Sequence, residues 1–270
     1  MDRNDPRQLV DLAHRVAVEV AERLRSAVIQ AEHVVGTKSS PTDLVTETDR
    51  ATEAFIVEQI LAQRPDDGIL GEEGGSRTGT SGVTWIIDPI DGTTNFFYGL
   101  AGFNTSIAAA VDGEVVAGVV ADPMRHEIFQ ATLGGGATCN GEPLAVRGLE
   151  HLSLALIGTG FSYQPERRVA QAQVVAALMG EVRDIRRLGA AALDLCLVAA
   201  GRLDGYFESG LQPWDLAAGA LIAREAGAVV ADLDGGPPGA HLTIAGGPAI
   251  FEPLRARLDA LRAAGAAVEA

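Results

Sequence analysis

Residues 85–95 read WIIDPIDGTTN, and the change of character in the middle of this stretch decides how the chain folds. Trp85, Ile86 and Ile87 form an apolar run of the kind found in buried strands. The run ends in two aspartates, and a buried carboxylate is costly unless something positive meets it. Pro89 has no N–H to give to a ladder, so the strand is expected to stop at Asp88. Asp88 and Asp91 then face one site across a turn. Gly92 lets the backbone come close to a ligand, and a helix opening at Thr93-Thr94-Asn95 would offer free N–H groups to an anion such as phosphate. Carboxylates beside an anion-binding helix end make electrostatic sense with a metal between them, and hard oxygen donors select magnesium or manganese over zinc. Taken alone, the segment reads equally well as a structural Asp-Pro, Asp-Gly turn.

Outward from this stretch, the apolar period separates helices from strands. Leu9, Leu12, Ala13, Val16, Val20, Leu24 and Val28 recur at helical spacing and predict an amphipathic helix from Pro6 to about Ala31. After the polar GTKSSPTD, a second helix is expected from Thr48 or Asp49, with Ala51, Phe55, Ile56, Ile60 and Leu61 on one face. The period then changes. DGILGEE and TWIIDPI read as strands, NTSIAAAV and EVVAGVVAD flank an Asp112-Gly113 hairpin turn, and HEIFQATL completes an antiparallel meander that ends at Gly134-Gly135-Gly136. Those glycines lack a following helix with lysine and are no Walker loop.

Beyond LSLALIGTG, helices at about Glu166–Met179, Ala190–Ala200 and Trp214–Ala226 alternate with strands VRDIRRL, LDGYFES, AVVADL and LTIAG. A closing helix follows from about Pro248. This alternation predicts an α/β fold with a second sheet covered by helices. One large domain over 1–270 with two lobes, about 1–148 and 149–270, is expected. The glycine- and serine-rich loop EEGGSRTGTSG is expected to be mobile.

Composition narrows the class of function. The chain of 270 residues is 47% hydrophobic and carries a net charge of −15. That charge argues against direct binding to nucleic acid or to an anionic membrane, and it suits a protein that collects cations. Cys139 and Cys196 form no disulfide or metal spacing, and no stretch approaches the roughly 18 apolar residues of a membrane span, so a cytoplasmic location is expected. The five histidines are scattered, which disfavours a histidine-based hydrolase. Trp85 and Trp214 read as core support.

Three further acidic segments accompany DPIDGTTN: GEEGG with Glu72 and Glu73, LVTETD with Asp49, and PWDLAAG with Asp215. Each alone reads as a solvated acid or a helix N-cap. All four in this order resemble the inositol monophosphatase family, whose patterns appear as WIIDPIDGTTNF and WDLAAGALIAREAG, supported by KSSPTDLVTETD, GEE and Asn140-Gly141. The resemblance runs from about residue 6 to 250.

The resemblance implies alternating α-β-α-β-α layers of the inositol monophosphatase and fructose bisphosphatase type, a homodimer, and a magnesium-dependent, lithium-sensitive phosphatase. Glu72, Asp88 and the carbonyl of Ile90 would hold a first magnesium; Asp88, Asp91 and Asp215 would hold a second, with Glu72 bordering a third, and manganese could substitute. Thr93, Glu72 and Asp49 would handle the proton of the attacking water, with Lys38 near the metals. Gly92 and Thr93 would bind phosphate, Gly189 and Ala191 would line the sugar beside Asp91, and Glu208 would accept ring hydroxyls. Arg186 and Arg187 are placed either to reach a second phosphate or hydroxyl, or to make surface ion pairs. Ala190 replaces the family's usual serine or threonine, which puts fine substrate preference in question. Inositol 1-phosphate ranks first as substrate. Fructose 1,6-bisphosphate, histidinol phosphate and nucleotide 3'-phosphates are the alternatives, and an accessory role in transcription belongs to a different class.

Overall fold

A computed structural model describes residues 4–30, 35–37 and 44–269. The chain opens with helix α1 (Pro6–Gln30), the antiparallel pair β1 (Val35–Thr37) and β2 (Leu44–Thr46), and helix α2 (Glu47–Gln63). Strands β3 (Gly68–Gly71), β4 (Ser76–Arg77) and β5 (Val83–Asp91) follow, then the short helix α3 (Thr93–Phe97). The meander comprises β6 (Asn104–Val111), β7 (Glu114–Asp122), β8 (Glu127–Thr132), β9 (Gly136–Cys139) and β10 (Glu142–Pro143). The second half runs β11 (Leu156–Thr159), α4 (Pro165–Leu178), β12 (Asp184–Arg186), α5 (Ala191–Ala199), β13 (Gly205–Glu208), α6 (Pro213–Glu225), β14 (Val229–Ala231), β15 (Thr243–Gly246) and α7 (Pro248–Ala263).

The strands form an eight-stranded sheet, ordered β10-β9-β8-β7-β6-β5-β3-β4, and a five-stranded sheet, ordered β12-β11-β13-β15-β14. The first is antiparallel except where β3 lies parallel to β5. In the second, β11 lies parallel to both neighbours and the rest is antiparallel.

Alternation along the strands sorts side chains into layers. Ile107, Ala109, Val119 and Ala121 pack toward α1 and α2, whereas Ala108 and Val120 face α5 and α6. Tyr206 and Ala245 of the second sheet meet α5 and α6 from the other side, and Phe207 and Ile244 turn outward to α4 and α7. The order is therefore helix, sheet, helix, sheet, helix, the α/β sandwich expected from the sequence. Every residue of α5 is buried, as a helix covered on both sides requires. Two glycines allow the close approach: a Cβ on Gly118 would stand 2.9 Å from Ala218 Cα, and one on Gly219 would stand 3.0 Å from the Ala192 carbonyl.

Several local expectations are corrected. Strand β5 does not stop at Asp88 but continues to Asp91, with a register shift between these residues that absorbs the missing N–H of Pro89. The loop EEGGSRTGTSG is tied down, because β4 pairs with β3 and the Gly71 N–H donates to the Gly75 carbonyl at 2.9 Å. The strand in VRDIRRL shortens to three residues at the sheet edge, and β9 and β10 extend the meander. Trp85 is fully buried and donates its indole N–H to Asp67 at 2.8 Å, in keeping with a role in the core.

Candidate active site

The site lies where the bulged end of β5, the end of β3 and the starts of α3, α5 and α6 converge. Past Pro89 the chain turns sharply into α3. Gly92 sits at φ +87°, and a Cβ there would come within 2.9 Å of the Gly102 carbonyl and 3.2 Å of Ala190 Cβ, so only glycine fits without strain. Asn95 anchors this turn by donating to the Gly102 carbonyl at 2.6 Å and the Leu188 carbonyl at 2.8 Å. The Asn95 bonds fasten α3 to the loop carrying Gly189.

A cleft of about 430 Å³ opens here, lined by Glu72, Asp88, Ile90, Asp91, Gly92, Thr93, Gly189, Ala191, Glu208 and Asp215 among others. Ten of the residues singled out in the sequence thus meet in one place. Asp49 stands behind them, fully buried in α2, with Thr93 Oγ1 3.0 Å from its Oδ1 and 3.0 Å from the Ile90 carbonyl. Lys38 lies outside the described residues. Arg186 is not in the cleft: its exposed guanidinium pairs with Asp184 at 2.6 Å, and Arg187 and Arg167 line the wall instead.

The carboxylates are held in distinct ways. Asp91 accepts Asn104 Nδ2 at 2.8 Å and the N–H groups of Ala191 and Ala192 at 3.2 and 2.8 Å. Its side chain therefore caps α5 from another element, where Ala190 itself offers no side-chain cap. Ala190 is thus the N-cap of α5, and the cap it lacks comes from Asp91. Burial pushes Asp91 up to about 6 against the pull of these hydrogen bonds. Asp215, at the third position of α6, accepts the Gln212 N–H at 2.6 Å in a capping box. Burial, then the charge of Asp91, raises it well above the usual carboxylate range.

Asp88 is the most confined of the four, with 2% of its surface exposed. Burial, then the charges of Glu72, Asp91 and Asp215, push its carboxyl far upward. Its Oδ1 is buried with no hydrogen-bond partner among the described residues. Asp88, Asp91 and Asp215, each pushed upward by burial and by neighbouring acids, stand with Glu72 as a set of hard oxygen donors that fits a divalent cation. Among the described residues no three such side chains already form a closed metal-holding group, so the fit rests on the shared cleft and on the orphaned oxygen.

Further functional residues were not singled out from the sequence. Glu53 of α2 accepts the N–H groups of Glu73 at 2.7 Å and Gly75 at 2.8 Å, fixing the turn that presents Glu72. A signal was present: Asp49, Glu53, Ile56 and Ile60 form the buried face of α2, so an acid stood on an apolar stripe. Tyr206 donates to Glu208 Oε2 at 2.6 Å. Burial moves Glu208 up to about 7, opposed by the Tyr206 hydroxyl and by Arg187. Asp194 of α5 is wholly buried with neither oxygen hydrogen-bonded among the described residues, and burial raises its carboxyl well above the usual range.

Helix and sheet layers stacked around a cleft of clustered acids, beside the open start of a helix, define a phosphoric monoester hydrolase. The family model described as the inositol monophosphatase family matches residues 5–264, and the chain belongs to that family. It is 45% identical over 276 residues to an inositol-1-monophosphatase of Mycobacterium leprae, covering 95% of each chain. It is 42% identical over 230 residues to the Nus factor SuhB of Vibrio cholerae, covering 84% of this chain and 86% of the other. The solved IMPase of Thermotoga maritima superposes with a TM-score of 0.87 at 34% identity, covering 95% of this chain and 99% of that one.

Proposed function

We propose that the chain is a magnesium-dependent phosphomonoesterase that hydrolyses myo-inositol 1-phosphate to inositol and phosphate. The observation that carries this reading is Asp88 Oδ1, a buried carboxylate oxygen without a hydrogen bond among the described residues, in a cleft shared with Glu72, Asp91, Asp215 and Glu208. The name of the Mycobacterium leprae relative supports the substrate. Glu72, Asp88, Asp91, Asp215 and the Ile90 carbonyl would hold two or three magnesium ions. Bound there, such ions polarise a phosphate and lower the pKa of water.

The chain's own groups do the rest. Thr93 Oγ1, held against Asp49 and the Ile90 carbonyl, acts with Glu72 to take a proton from the attacking water. The backbone N–H groups of Gly92 and Thr93 hold phosphate oxygens in line for attack at phosphorus. The ester P–O bond breaks, and the leaving alkoxide takes a proton from solvent. Gly189 and Ala191 line the sugar, and Glu208 accepts one of its hydroxyls. A cytoplasmic homodimer inhibited by lithium belongs to the same reading; among the described residues no helix is long and apolar enough to cross a membrane.

The test is phosphate release from inositol 1-phosphate and fructose 1,6-bisphosphate side by side, each with magnesium and with chelator. Magnesium-dependent preference for inositol 1-phosphate is expected. Preference for the bisphosphate would keep the metal site and discard the substrate. The Vibrio cholerae relative's name favours a second reading, an accessory protein of transcription. Retention of RNA polymerase by the immobilised protein, unaffected by loss of the cleft carboxylates, would support it.

A further inference from the structure

Glu208 projects into the cleft from the end of β13, and its carboxylate occupies space that would belong to a side chain at residue 160. A Cβ built on Gly160 would lie 1.9 Å from Glu208 Oε2, 2.0 Å from its Cδ and 2.0 Å from Oε1. Gly160 has no positive φ to require glycine, and the three atoms nearest to such a Cβ all belong to the far end of one flexible side chain. The absence of a Cβ is thus matched to the carboxylate and not to the backbone. On the other side, the fully buried Tyr206 donates its hydroxyl to Oε2 at 2.6 Å. Oε1 has no hydrogen bond among the described residues. Next to it, Gln171 of α4 joins both walls: its Oε1 accepts the Ser162 N–H at 2.7 Å, and its Nε2 donates to Ser209 Oγ at 2.9 Å. The two strand ends that carry Gly160 and Glu208 are therefore held in fixed relation.

We propose that Gly160 and Tyr206 are positioning residues that set substrate selectivity, by fixing the Glu208 carboxylate with one oxygen occupied and the other directed to a hydroxyl of a polyol phosphate. The inference rests on the reading of the cleft as a polyol-phosphate phosphatase, and it adds two residues that touch neither phosphate nor cation. A methyl group at 160 displaces the carboxylate while leaving the backbone in place. Loss of the Tyr206 hydroxyl frees the carboxylate to rotate.

The test compares Gly160→Ala, Tyr206→Phe and wild type, in magnesium, on inositol 1-phosphate and on p-nitrophenyl phosphate, which has no hydroxyl for Glu208 to read. Gly160→Ala is expected to lower kcat/KM for inositol 1-phosphate about tenfold, chiefly through KM, and to change p-nitrophenyl phosphate turnover by less than about twofold, one such hydrogen bond being worth roughly this factor. Tyr206→Phe shifts the ratio in the same direction by about threefold. In Gly160→Ala/Glu208→Gln the Gly160→Ala effect disappears, because the group it acts through is already lost. Equal falls on both esters would show a general structural defect and overturn the proposal, as would an unchanged ratio. A crystal structure of Gly160→Ala with Glu208 in its original place would also overturn it. Failure of the wild type on both esters would instead overturn the reading of function, and this inference with it.

Discussion

Glu53→Gln tests how far the active site depends on a residue that does not touch it. The Glu53 carboxylate accepts two backbone N–H groups, from Glu73 and Gly75, at 2.7 and 2.8 Å. Gly71 and Gly75 are shaped around it, since a Cβ on either would stand 2.4 or 2.7 Å from its oxygens. A hydrogen bond to a charged group is worth about 1.5–3 kcal/mol. Glu53→Ala removes both and costs about 3–6 kcal/mol, a large part of the 5–15 kcal/mol that holds a typical protein folded. Glutamine keeps one acceptor and turns an amide N–H toward the second donor. The cost is then about 2 kcal/mol, or about 4–8 °C in Tm for a chain of this size. Because the turn carries Glu72, and a misplacement of about 1 Å can cost on the order of a hundredfold in rate, kcat should fall by about 10- to 100-fold. Thermal melting and magnesium-dependent phosphate release measure the two effects. A Glu53→Gln protein with wild-type Tm and kcat would refute the reasoning.

Three more outcomes follow from the same geometry. Asp194→Asn should raise Tm by a few degrees at pH 8, since a carboxyl that must ionise without hydrogen bonds is costlier to bury than a neutral amide, whose own cost is about 1–3 kcal/mol. The folded-state carboxyl is raised, so the wild type loses stability as pH rises from the unfolded value through the folded one; melts from pH 4 to 8 should show that loss in the wild type and a flatter profile in the variant. Thr93→Val should reduce kcat by about 10²-fold or more in phosphate-release assays, and Thr93→Ser should restore most of it, because the reading needs the hydroxyl and not the methyl group. Gly92→Ala should destabilise by about 1–3 kcal/mol in urea unfolding, since its positive φ and the neighbouring Gly102 carbonyl leave a methyl group nowhere to go.

The fold was legible where one period dominated. Helices α1, α4, α5 and α6 start and end within a residue or so of the expected positions, and α2 and α7 begin where expected, because α1 has a clear apolar face and α5 an apolar surface all round. The end of β5 was not, because the rule that proline ends a ladder omits the bulge that lets a strand resume beyond it. The mobility expected of EEGGSRTGTSG came from composition alone. What pins that loop is Glu53, some 20 residues earlier in the chain. The acids of the candidate site could be picked out because turns and helix starts mark them locally. Gly160, Tyr206, Asp194 and Arg167 could not, since each takes its meaning from a partner in another element. Arg186 and Arg187 are adjacent in sequence, yet Arg186 ends β12 paired with Asp184 while Arg187 lines the cleft, a division no local pattern marks.

The central claim is that the clustered carboxylates exist to hold divalent cations. Titration calorimetry of magnesium into the purified protein and into Asp88→Asn, with circular dichroism to verify that both are folded, tests it most directly. The account predicts saturable binding by the wild type, and at least tenfold weaker binding by the folded variant together with loss of phosphatase turnover. Equal magnesium binding by the two proteins, or near-normal turnover by Asp88→Asn, would contradict it.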